Sequence, residues 1–108
     1  MTSSIDAGTV LAALADPTRR DVLAAVAAGA GRATATDLSA DLPITRQAVA
    51  KHLGVLANAG LVTAERQGRE AHYRVVAGSM RPAAEWIERT EASWGRRIDR
   101  LQHHLSGH

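Results

Sequence analysis

Between Pro43 and Leu61 the chain reads P-I-T-R-Q-A-V-A-K-H-L-G-V-L-A-N-A-G-L. Thr45, Arg46, Gln47 and Lys51 supply a hydroxyl, a guanidinium, an amide and an ammonium, and no acid occurs between Asp41 and Glu65 to neutralise them. Gln and Arg match the donor and acceptor pattern of base edges in a major groove, and Lys and Thr suit phosphate oxygens. Catalysis is not indicated. The chain has no Cys, and its five His have neither a nucleophile nor a carboxylate cluster beside them.

A helix must carry these groups. Thr45 is a good N-cap, and Pro43 blocks extension of the helix backwards. Val49, Leu53 and Leu56 follow at i, i+4, i+7, with Ala48, His52 and Val55 beside them, so this face is expected to be buried. His52 is expected to be hydrogen-bonded there rather than to act as a base. Thr45, Arg46, Gln47, Ala50 and Lys51 then point outward. Gly60 is placed for a left-handed C-cap. A solvated, mildly basic face is the other reading of the same pattern.

Upstream, Ile5–Ala15 reads as a first helix with Val10, Leu11 and Leu14 on one side. Asp16-Pro17 restarts the chain into a second helix to about Ala28, burying Val22, Leu23 and Val26 and stopping at Gly29–Gly31. Arg19 and Arg20 in its first turn fit either an external anion or a bridge to Asp16 or Asp21. Thr34 or Thr36 caps a short third helix with Leu38, and Leu42 lies just beyond it. The turn Asp41–Ile44 joins this helix to the next, which makes residues 34–60 a helix-turn-helix unit.

Downstream of Gly60 the period becomes strand-like, with strands at Leu61–Arg66 and Ala71–Val76 and a tip at Gln67–Glu70, where Gly68 supplies a positive φ. Arg69 at this tip fits a DNA backbone or minor-groove contact, or an ion pair with Glu70 or Glu65. Ser79 to about Leu105 reads as one helix about 40 Å long. Met80, Ala84, Ile87, Glu91, Trp94, Ile98, Leu101 and Leu105 alternate in steps of four and three, a coiled-coil seam interrupted by Glu91. A small domain cannot cover that stripe alone. Ile87, Glu91, Trp94, Ile98 and Leu101 are therefore expected in a homodimer interface, although the first helix could cover the first half. Glu91 should have a cationic partner, either Arg89, Arg96 or Arg97 of the other copy, or Arg19 or Arg20. Tyr73 and Trp86 read as core or interface residues.

The whole chain is 108 residues with a net charge of +2, 45% apolar, and without Phe. That suits one domain of helices packed through small side chains. Residues 1–43 carry three Arg against five Asp, whereas residues 44–76 carry five Lys or Arg against two Glu. The basic excess thus falls where a phosphate-binding face would need it. No apolar run reaches membrane-span length, and Met1–Ser4 is too short and polar for a signal peptide, so a cytoplasmic protein without membrane contact is expected. The expected fold is mainly α with a small β-hairpin: a single winged helix-turn-helix domain over 1–108, with the wing at 61–76 and a C-terminal dimerisation helix at 79–105.

Three segments in this order, L-A-D-P-T-R-R-D-V-L (14–23), the run from Thr36 to Val62, and H-Y-R-V (72–75), resemble the ArsR/SmtB-type bacterial repressors over nearly the whole chain. The resemblance implies a homodimer on a twofold-symmetric operator in double-stranded DNA, usually repressing its own operon. It also implies that Thr45, Gln47, Ala48, Ala50 and Lys51 face the DNA. Many relatives carry Ser at the position of Ala50, which leaves more of the readout to Arg46 and Gln47. Metal-sensing members use Cys pairs near the recognition helix or an Asp-x-His…His-x-x-Glu pattern on the last helix. Here only Asp99, His103, His104 and His108 are at hand, with Asp99–His103 and His104–His108 at i, i+4. A polar C-terminus explains them better, so no metal or other cofactor is expected. The last helix, with Trp86 and Trp94, looks like a subset of the family without metal ligands. A winged-helix module that binds a protein partner through its basic face is the competing function.

Overall fold

A computed structural model describes residues 6–105. The first helix, α1 (Ala7–Ala13), is capped by Asp6, whose carboxylate accepts from the Thr9 amide. It is shorter than its apolar pattern suggests, and Ile5 lies outside the described residues. Its early end has a cause: Asp16 precedes Pro17, which disfavours helical backbone there, and Asp16 is extended at φ −89° and ψ 120°. Helix α2 (Pro17–Ala28) starts on the Asp16 carboxylate, which accepts from the amides of Thr18 and Arg19. Gly29 ends it. Of the two candidate caps for α3 (Ala35–Asp41), Thr34 is the one used, in a capping box with Asp37.

Helix α4 (Arg46–Asn58) begins as expected, with the Thr45 hydroxyl accepting from the Ala48 amide at 3.1 Å. It ends in a Schellman motif: the Leu61 amide donates to the Leu56 carbonyl and the Gly60 amide to Ala57, with Gly60 at φ 80°. Leu56 and Leu61 are both fully buried, supplying the hydrophobic contact that goes with this motif. The wing follows directly. Strands β1 (Val62–Gln67) and β2 (Glu70–Val75) pair antiparallel in the register Val62↔Val75 to Gln67↔Glu70. The turn is therefore only Gly68-Arg69, two residues shorter than the expected tip. Gly68 at φ 64° meets the demand of such a tight connection for a left-handed residue.

Val10, Val22, Leu23, Val26, Leu38, Val49, Leu53, Leu56, Leu61 and Val62 form one core. Leu11, Leu14, Leu42, Val55 and Tyr73 pack half-buried around it. Helix α5 (Arg81–Leu105) departs from this mass. It starts two residues later than expected, after a turn at residues 77–80, and touches α1; Ala83 is its only buried residue. From Ala84 onward its apolar stripe stands clear, with Ile87 47% exposed and Trp94 and Leu101 57% exposed. The radius of gyration is 18.6 Å, against the roughly 13 Å usual for a compact chain of about this length.

Candidate nucleic-acid interface

Burial of Val49, Leu53 and Leu56 fixes the rotation of α4, and rotation decides which side chains it presents. Thr45, Arg46, Gln47, Ala50 and Lys51 are all exposed on one side. Thr45 uses its hydroxyl oxygen to cap α4, which leaves the O–H proton free to donate. Ala48 is half-buried, with its amide committed to the Thr45 cap, so it is less available than the family resemblance implies. His52 is half-buried, but the hydrogen bond expected for it is missing: its buried Nδ1 has no partner among the described residues. The Arg19 amide, then the Thr18 amide and the Arg19 guanidinium, hold the Asp16 carboxyl below its usual range.

The wing is tied to this unit by a bond that no sequence pattern announces. The Tyr73 amide donates to the Ala33 carbonyl at 2.8 Å, so the link between α2 and α3 pairs with β2 like a third strand. Alternation along β1 puts Val62, Ala64 and Arg66 on one face, opposite Val75, Tyr73 and Ala71. That face runs from the core at Val62 out to Arg66, which ends beside the first turn of α4. Arg46, Arg66 and Arg69 there line a cleft of about 160 Å³, with Thr34, Thr36, Tyr73 and Glu70. None of the three arginines has an ion-pair partner among the described residues. The expected Arg69–Glu65 alternative fails because Glu65 faces Arg74 instead, at 3.8 Å. Arg66 was not among the residues read from the sequence, yet the strand alternation Val62-Ala64-Arg66 would have found it.

Arg19 and Arg20 are otherwise engaged. Arg19 Nε donates to the Ala13 carbonyl at 2.6 Å and Arg20 Nη1 to Leu14 at 2.6 Å, closing the C-terminus of α1. Arg19 also lies 3.8 Å from Asp16. These contacts favour the bridging reading of the pair, and neither arginine forms an ion pair with Glu91 among the described residues. Glu91 is exposed, without a partner among the described residues. Trp86 is no core residue, being 47% exposed. Among the described residues no three His, Asp or Glu side chains are grouped to hold a metal, and His108 of the candidate set lies outside them. No helix there is long and apolar enough to cross a membrane.

Comparison with known proteins follows the same outline. A family model described as a helix-turn-helix domain matches residues 14–65. The curated relative YuzN of Bacillus subtilis (strain 168), described as an uncharacterized HTH-type transcriptional regulator, is 52% identical over 52 residues. That match covers 44% of this chain and only 53% of YuzN, about half its length. Among solved structures, an ArsR-like transcriptional regulator from Rhodococcus sp. RHA1 is 36% identical over 90% of each chain, with a TM-score of 0.73. A possible transcriptional regulator for arsenical resistance is 32% identical, covering 86% of this chain and 92% of that one, with a TM-score of 0.66.

Proposed function

Because the chain belongs to the ArsR family of transcriptional regulators, we propose that it binds a specific operator as a homodimer and represses transcription there, its own operon included. One observation carries this reading. The exposed side of α4 presents Thr45, Arg46, Gln47, Ala50 and Lys51 with no acid on the helix itself, and Arg69 flanks it from the wing. A helix of about 10–12 Å diameter enters a major groove about 12 Å wide. Gln47 then reads base edges, Lys51 and Thr45 hold phosphates, and the Ala50 methyl leaves no hydroxyl contact. The bare stripe of α5 supports a second copy, with Ile87, Glu91, Trp94, Ile98 and Leu101 at the interface. Twofold symmetry would set two copies of α4 about 34–36 Å apart, one helical turn of DNA.

The test is to incubate the purified protein with sheared genomic DNA and sequence what it retains. Enrichment of one inverted-repeat site upstream of its own gene, with affinity falling steeply with salt, is the expected result. Retention without sequence preference, or none at physiological salt, would overturn the reading in favour of a winged-helix module that binds protein through the same face.

A further inference from the structure

The three arginines of the cleft between α4 and the wing form no ion pair with an acid among the described residues. Arg46 occupies the first position of α4, where the helix dipole is itself positive and a cation is unfavourable. Arg66 comes from the inner face of β1 and Arg69 from the two-residue turn, so three separate backbone positions bring like charges to one concavity. Among the described residues Glu70 is the only acid lining it, which leaves a surplus of two positive charges. The volume, about 160 Å³, is well below the roughly 300–1,000 Å³ of pockets that take drug-sized organic molecules. It suits an ion-sized group with several acceptor oxygens, and guanidinium forks match a tetrahedral oxyanion well.

We propose that this cleft seats one phosphate group, and that in the complex proposed above the group is a phosphodiester of the operator backbone. Arg46 is then a phosphate ligand rather than a base reader, and Arg66 is a DNA-contacting residue. The wing lies on the sugar–phosphate backbone, with Arg69 directed to the seat and not into the minor groove. Sequence readout on α4 rests correspondingly on Gln47. The DNA part of this assignment depends on the operator reading, whereas the seat itself does not.

Two measurements separate them. The first follows the arginine Nε–H resonances while inorganic phosphate replaces chloride at constant ionic strength. Arg46, Arg66 and Arg69 should shift together in the wild type. Arg66→Gln should abolish the shifts of the other two, and Glu70→Gln should make them saturate at lower phosphate. The second is duplex binding at several salt concentrations. Arg66→Gln should bind about a hundredfold more weakly, about tenfold for the charged hydrogen bond lost from each of the dimer's two seats, and its salt slope should flatten by about 0.9 for each seat lost. Amide spectra of each variant confirm that it is folded. If the wild type binds its operator but Arg66→Gln matches it in affinity and slope, the backbone assignment is wrong. If phosphate moves none of the three arginines, there is no seat. If phosphate binds but no operator does, the seat serves a free phosphate and it is the operator reading that fails.

Discussion

Single residues on α4 divide into those that hold the helix and those that it presents. Gln47 and Lys51 are both exposed, yet their loss should read out differently. Gln47→Ala should cost about 1–3 kcal/mol against the preferred site and little against others, relaxing specificity at one position. Lys51→Ala should weaken every sequence alike and flatten the salt dependence. Fluorescence anisotropy with the operator and a scrambled duplex checks both, and two unchanged affinities would mean that α4 is not the reading helix. Asp99, His103 and His104 occupy the exposed end of α5. Zinc, nickel or a chelator should therefore change operator affinity little. Calorimetry showing tight stoichiometric zinc, lost in His103→Ala/His104→Ala, would contradict that.

At the scale of elements, the junction of α1 and α2 is where polar chemistry and chain direction meet. Asp16 caps one helix while Arg19 and Arg20 close the other, so a single corner satisfies amides and carbonyls that water would otherwise have to serve. Arg19→Ala should cost about 1.5–3 kcal/mol, the range for hydrogen bonds from a charged group, measured as a loss in urea midpoint. Asp16 has its carboxyl pKa lowered, first by the Arg19 amide. Its ionised form thus favours the fold above the unfolded value of about 3.9, and that contribution disappears as pH falls through the lower folded value. Asp16→Ala should melt earlier than wild type at pH 7, and the gap should narrow below about pH 4. A gap that stays constant with pH would show that the carboxylate charge is not what the cap depends on.

For the whole molecule, the decisive fact is a helix whose apolar stripe the other described residues do not cover. Stable dimers bury about 800 Å² on each partner, and Ile87, Trp94, Ile98 and Leu101 offer contiguous apolar side chains for such a contact. Ile98→Asp and Trp94→Ala should each sediment as monomers and lose operator binding together with the second half-site. A monomeric Ile98→Asp that still bound its operator at wild-type affinity would sink the dimer proposal. Glu91 lies within the stripe, and Arg89, Arg96 or Arg97 of the other copy would pair with it. Glu91→Leu should then keep or raise thermal stability while loosening assembly toward higher oligomers. An unchanged sedimentation profile would mean that Glu91 faces water in the dimer too.

The helices, their caps and the buried face of α4 were legible in the sequence because they depend on local signals. Thr45, Asp16-Pro17 and Gly60 act within a turn of themselves, and the spacing of Val49, Leu53 and Leu56 sets a face without reference to any other element. The length of the hairpin was misjudged because a two-residue turn and a longer one carry the same residues, and only the register Gln67↔Glu70 separates them. Arg19 does bridge Asp16 as expected, but its bonds to α1, and the partners of Arg20 and Glu65, were missed for a related reason. A long side chain reaches several groups, and the choice among them depends on where the neighbouring element stops. The cleft of Arg46, Arg66 and Arg69 belongs wholly to tertiary structure. Its residues lie 20 or more positions apart for two of the three pairs, and they meet where the wing lies against the helix-turn-helix unit, held by core packing and by the bond from Tyr73 to Ala33.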